Sequence, residues 1–174
     1  MAELLGDLTR THYCGSLREE HVGQKVTLMG WAATRRDLGG VVFVDLRDRE
    51  GLCQVVARSE VSAAAHDAAD RVRSEYVLAV VGEVVRRSAE TLNPKIPTGE
   101  IEVLASEIRI LAEAKTPPFP IEDQVTADES IRLRHRYLDL RRPAMAKNLV
   151  FRSRVVSFMR SFLTERGFLE VETP

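Results

Sequence analysis

Cysteine is scarce in these 174 residues: Cys14 and Cys53 are two, and they lie far apart. Neither sits in a redox or catalytic pattern. That sets aside a thiolate nucleophile and a disulfide framework, and it fits a reducing compartment. No apolar run approaches the ~20 residues of a membrane-spanning helix. The first residues, Met1 to Asp7, are acidic and lack the basic start of a secretory signal, so the cytoplasm is the expected location. The histidines His12, His21, His66 and His135 show no ligand spacing such as two four apart, and no metal site is expected. A positive excess is missing too. The net charge is -1, whereas a general nucleic-acid coat carries a clear surplus. Any contact with nucleic acid must be local, and Arg35-Arg36 and Arg86-Arg87 are the local candidates. No internal repeat or low-complexity tract is visible.

What is present is a globular composition, 44% apolar and 29% charged. The length is enough for one domain with a real core and part of another. The most informative stretch runs from Gly30 to Asp48. It reads as two strands joined at Leu38-Gly39-Gly40, the first ending in Arg35-Arg36-Asp37. Side chains alternate along a strand, so Val42, Val44 and Leu46 point one way and Phe43, Asp45 and Arg47 the other. The aliphatic set suits a core. Phe43 is then an aromatic ring on a polar face beside two arginines, which is what stacking an unpaired base and holding its phosphates requires.

Along the chain, Gln24 to Ala33 begins the first strand, Val41 to Arg47 is the second and Leu52 to Ala57 the third. Ser59 reads as the cap of a helix over Val61 to Val72. Tyr76 to Val85 is a fourth strand. Arg86 to Gly99 is a polar loop, and Glu100 to Leu111 is a fifth strand with a bend expected near Ala105-Ser106. Five short strands with one helix between the third and fourth predict a mainly β chain with a five-stranded OB-fold barrel over residues 1–112. Such barrels bind oligonucleotides on the face of strands two and three, where Phe43 and Gln54 fall. Gln54 shares its face with Leu52 and Val56, so alternation leaves its orientation open, and a bulge near the turn could resolve it.

Beyond Ala112 the prolines of Thr116-Pro117-Pro118-Phe119-Pro120 exclude a helix or central strand and mark a linker, taken as 113–142. Asp128 can cap a short helix through Leu138. Pro143 suits the first turn of a longer helix with an apolar stripe from Met145 to Leu163 and a stop at Gly167. Phe168 to Pro174 then begins a strand. One striped helix and one lone strand do not make a domain, so 143–174 reads as the start of something larger.

The run from Gly30-Trp31 through Arg35-Arg36-Asp37-Leu38-Gly39-Gly40-Val41-Val42-Phe43-Val44-Asp45-Leu46-Arg47-Asp48-Arg49-Glu50-Gly51 resembles the anticodon-binding barrel of bacterial aspartyl-tRNA synthetases. Thr98 to Val103 and Arg136 to Pro143 are similar to the same family, and Gly167 to Pro174 to motif 1 of class II synthetases. The resemblance implies a dimeric aspartate–tRNA ligase that uses ATP and Mg, with the catalytic motifs 2 and 3 outside this span and no catalytic residue within it. It implies that Phe43 stacks on the middle anticodon base and that Gln54 contacts a base edge. Arg36 and Arg87 would contact the anticodon loop, and Glu102 would read a guanine edge. Arg73 and Asn93 are weaker candidates, and Asp37 would orient the neighbouring arginines. Met145, Leu149, Met159 and Pro174 match the family's dimer interface. Leu38 stands where some members that also charge the asparagine tRNA carry histidine, which hints at strict aspartate-tRNA recognition. The alternative is a sequence-nonspecific single-strand-binding OB module.

Overall fold

A computed structural model describes residues 2–173 of the chain. It divides into two compact units, Met1–Pro117 and Pro118–Pro174. The first unit contains β1 (Lys25–Asp37), β2 (Val41–Arg47), β3 (Leu52–Arg58), α1 (Ala63–Arg71), β4 (Val77–Arg86) and β5 (Ile101–Ala112). The strands close into a barrel in the order β1-β2-β3-β5-β4. All pairings are antiparallel except β3 with β5, which is parallel at Val55↔Val103 and Val56↔Leu104. This is the expected OB-fold, with α1 between the third and fourth strands.

The core follows the alternation of the sequence where strands have one covered face. Val26, Leu28, Val42, Val44, Leu46, Leu78, Val80 and Val103 are buried inside the barrel. Along β2 the partly exposed residues are Val41, Phe43, Asp45 and Arg47, as alternation predicts. The β1–β2 hairpin turns at Gly39 (φ 62°) and Gly40 (φ 90°), and the Leu38 N–H donates to Val41 O at 3.0 Å. Two consecutive positive φ angles define the tight hairpin turn whose twist matches the flanking strands, and glycine reaches them without a Cβ penalty.

Three register shifts shape the barrel, one of them between Val77 and Leu78 at the start of β4. The β1–β2 register shifts between Ala32 and Thr34, so Ala33 is a bulged residue. The β4–β5 register shifts between Val81 and Gly82, at Ser106, where the expected bend occurs. The Ser106 hydroxyl donates to Val81 O at 3.1 Å there. Gly82 lies against the Leu104 carbonyl, leaving no room for a side chain.

The helix starts later than Ser59. Arg58 O accepts from the N–H groups of Val61 and Ser62, forming a turn, and Ser62 is the cap, its hydroxyl accepting from Ala65 N at 3.2 Å. The two serines are equally good caps in sequence, and the turn after β3 decides between them.

In the second unit, α2 (Glu129–Arg134), α3 (Arg136–Asp139) and α4 (Pro143–Thr164) follow one another. Asp128 caps α2 as expected, accepting from Ser130 N at 2.8 Å. The single short helix expected through Leu138 is instead split at His135, whose φ of -109° and ψ of 47° interrupt the helical path. Pro143 begins α4 as expected, and Gly167 (φ 84°) lies just past its end. No strand forms over 168–173, because ladder bonds need a neighbouring strand and none of the described residues supplies one there.

The Asp139 carboxylate is fully buried and gathers the second unit. It accepts from Arg142 Nη1 at 2.7 Å and from Arg136, and Arg132 lies 3.7 Å away. Arg142 also donates to the carbonyls of Glu122 and Asp123. The Arg142 hydrogen bond, then the nearby guanidinium charges, outweigh desolvation and hold the Asp139 carboxyl below its usual range.

Candidate nucleic-acid interface

The bulge at Ala33 decides which side chains reach the outer face. Before it, Val26, Leu28 and Ala32 point into the core. Without the extra residue, strict alternation would carry Thr34 and Arg36 inward as well. After it, Thr34 pairs with Asp45 and Arg36 with Phe43, on the outer face. Arg35 turns the other way. Its Nε donates to Ala69 O at 3.2 Å and its guanidinium pairs with Asp70, so it braces α1. Of the two consecutive arginines, only Arg36 joins the outer surface with Phe43.

Two cross-strand rows form that surface. One runs Arg36, Phe43, Val56, Leu104 across β1, β2, β3 and β5. The other runs Thr34, Asp45, Gln54. Directly opposed residues share a face, so these side chains are neighbours. Gln54 therefore points to the outer face and needs no bulge of its own. Val56 beside it is also buried, because Phe43 and Leu104 flank it on both sides.

Arg36 of the first row links the polar groups of the second, and Glu102 extends the chain. Arg36 Nη2 donates to Asp45 Oδ1 at 3.1 Å, Asp45 Oδ2 at 3.3 Å and Gln54 Oε1 at 3.2 Å. Gln54 Nε2 donates to Glu102 Oε2 at 2.9 Å. The Thr34 hydroxyl also donates to Asp45. The Gln54 amide is thus engaged at both ends. An amide offers two N–H donors and two acceptor lone pairs, so one of each remains for a base edge. Glu102 and Leu104 also line an open depression of about 500 Å³ with Arg58, Glu60, Val61, Val85 and Arg86. Its walls combine aliphatic surface with the guanidiniums of Arg58 and Arg86 and the carboxylates of Glu60 and Glu102.

The other candidate residues fall in different places. Arg87 is only 8% exposed, and it donates through Nε to Ile101 O at 2.9 Å and through Nη1 to Thr91 O at 3.4 Å. It ties the β4–β5 connection to β5. Asn93 lies in that connection, its side-chain oxygen accepting from Lys95 N at 3.1 Å. Arg73 is exposed after α1, and its Nη1 donates to Asp70 O and Val72 O, both at 2.9 Å. Asp37 contacts Arg35 at 3.5 Å, while Arg36 is oriented by Asp45. Sequence reasoning placed Asp45 beside Phe43 and gave it no role. The available signal was its shared parity with Phe43, once the register to Arg36 is known.

On α4, Met145 is half-buried, and Leu149 and Met159 are 45% and 55% exposed. Pro174 lies outside the described residues. Both cysteines are free and buried. Burial pushes the Cys53 thiol up to about 12 and Cys14 further. Among the described residues no group of three or more His, Cys, Asp or Glu could gather a metal ion, and no helix is long and apolar enough to cross a membrane.

A closed barrel that carries an aromatic-and-amide face defines an oligonucleotide-binding domain, and residues 26–111 match the family model of the OB-fold nucleic acid binding domain. Residues 128–174 match the model of tRNA synthetases class II (D, K and N), and the chain is homologous to bacterial aspartyl-tRNA ligases over its whole length. It is 54% identical over 174 residues to the aspartate–tRNA(Asp/Asn) ligase of Caldanaerobacter subterraneus subsp. tengcongensis, covering 100% of this chain and 29% of the relative. It is 56% identical over 167 residues to the aspartate–tRNA ligase of Geobacillus kaustophilus, covering 96% of this chain and 28% of the relative. The chain thus spans under a third of the length of these curated relatives. Among solved structures, asparaginyl-tRNA synthetase from Pyrococcus horikoshii complexed with asparaginyl-adenylate superimposes with a TM-score of 0.78 at 25% identity, covering 96% of this chain and 37% of that one. Aspartyl-tRNA synthetase from Entamoeba histolytica superimposes with a TM-score of 0.82 at 22% identity, covering 96% and 39%, a likeness of fold.

Proposed function

We propose that the barrel reads the anticodon loop of an aspartate tRNA, as part of an enzyme that joins aspartate to that tRNA. The observation that carries the reading is the outer face of β2 and β3. Phe43 presents a ring beside Arg36, and the Gln54 amide is held between Arg36 and Glu102. The ring supplies a stacking platform, Arg36 a cation for the phosphates, and Gln54 and Glu102 the base-edge contacts. Arg73 and Asn93 are proposed at the margin of the bound loop, and Arg87 as the residue that holds the β4–β5 connection against it.

The curated relatives are named as aspartate–tRNA ligases, which supports assigning the same reaction to the protein that contains this span. That reaction consumes ATP and, in the family, uses Mg. Met145, Leu149 and Met159, with Pro174, are proposed to face a second copy in the enzyme. The proposed location is the cytoplasm.

The test is competition binding of this chain to an RNA hairpin carrying a GUC loop. A hairpin with the middle base changed should compete at least tenfold less well, about 1.4 kcal/mol of discrimination. A GUU loop, as in the asparagine tRNA, is a further competitor. Equal competition by unrelated single strands would replace this reading with a sequence-nonspecific module.

A further inference from the structure

We infer that Asp45 is the positioning residue of this interface. It holds the Arg36 guanidinium in the one place from which it orients the Gln54 amide, and this sets base discrimination. The inference rests on the RNA-reading role proposed above.

The geometry is a chain of alternating character: the Asp45 carboxylate, the Arg36 guanidinium, the Gln54 amide and the Glu102 carboxylate. Arg36 alone does not have a fixed position. Its side chain is 53% exposed, and an exposed arginine samples many rotamers. Asp45 is only 19% exposed and sits on β2, directly opposite Gln54. Both of its oxygens face Arg36 Nη2, at 3.1 and 3.3 Å. The Thr34 hydroxyl, brought outward by the bulge at Ala33, also donates to the carboxylate, at Oδ2. So held, Arg36 Nη2 also donates to Gln54 Oε1. With the amide oxygen toward Arg36 and the amide nitrogen toward Glu102, a flip of Gln54 would break both bonds. The remaining donor and acceptor are therefore presented in one order to an incoming base.

The sign of the effect separates this from simple electrostatics. Asp45 is an anion on a face proposed to take a polyanion. If charge alone mattered, Asp45→Asn would strengthen RNA binding, since it removes a repulsion. Positioning requires the opposite.

The experiment measures binding of the GUC hairpin and of its middle-base variant by the full chain, for the parent, Asp45→Asn, Arg36→Ala and the double variant. Thermal melting and the Gln54 side-chain amide resonances are recorded for each free protein. The expected result is about fivefold or greater weakening of GUC binding in Asp45→Asn, with a reduced preference over the variant loop. In the Arg36→Ala background the same substitution should change affinity less than about twofold. The Gln54 amide signals should shift or broaden in Asp45→Asn while the melting temperature stays with the parent's. Thr34→Val removes one donor to the carboxylate and keeps its charge. It should weaken binding in the same direction, which covers the case in which Asp45→Asn folds poorly. Equal or tighter binding by both Asp45→Asn and Thr34→Val overturns the inference. So does an equal loss with and without Arg36, which would mark a merely structural residue. A parent without preference for the GUC loop overturns the RNA-reading role first, and this inference with it.

Discussion

Replacing Phe43 with alanine tests the stacking platform directly. The ring is half-exposed on β2, opposite Val56, which is fully buried, and next to Arg36 on β1. Two losses follow from truncation, and they differ in size and in assay. The first is the cross-strand pair with Val56, worth about 0.2–1 kcal/mol of fold stability. The second is the stack on one base, worth about 1–3 kcal/mol of binding. The second converts to a Kd rise of about 5- to 150-fold. Because Val42, Val44 and Leu46 keep the inner side of β2 packed, Phe43→Ala should remain folded. Phe43→Leu separates the two losses, since it retains apolar cover for Val56 and removes the aromatic face. Titration of a fluorescent GUC hairpin, with melting curves alongside, gives both numbers. Both variants should bind weakly, and Phe43→Leu should melt close to the parent. Hairpin affinity equal to the parent's in both variants would refute the stacking role of this face.

Three further outcomes are expected. Arg36→Ala should lower the slope of log K against log[salt] by about 0.7, the contribution of one single-strand phosphate contact, read from binding isotherms at several salt concentrations. The Asp139 carboxyl is depressed in the folded chain below its ordinary value of 3.8. Its stabilisation is therefore complete above that value and is lost as pH falls through the folded value, because the unfolded chain takes up the proton first. Circular dichroism should show helix loss on acidification, and Asp139→Asn should show that loss already at neutral pH. Cys14 and Cys53, buried with thiols raised by desolvation, should resist a thiol reagent at pH 8 in the native chain and react fully once it is denatured.

The order of elements, the inward set on β2, the Gly39-Gly40 turn, the bend near Ser106 and the cap at Asp128 were all legible in the residues. Each depends on local chemistry: alternation, backbone freedom, or a short side chain bonding its own backbone. So was the aromatic on the polar face, because Phe43 lies on an unbroken stretch of strand. The start of α1 was less legible, since Ser59 and Ser62 are equally good caps in isolation.

The assembled surface is another matter. Parity counted from Val26 would have placed Arg36 indoors, and only pairing against β2 shows that Ala33 is extra and that Arg36, not Arg35, faces outward. Gln54 looked ambiguous because Leu52 and Val56 share its parity. Its direction depends on β2 and β5 lying on either side of β3, which cover Val56 and leave the amide between Arg36 and Glu102. Arg87 reads as a surface cation in a charged loop, yet it is buried on the carbonyls of Ile101 and Thr91, which are distant or unremarkable in sequence. What residues along the chain determined was which segments form strands and helices, since those preferences act over a few bonds. Which side chains meet was decided by strand register, a property of pairs of segments that no single stretch contains.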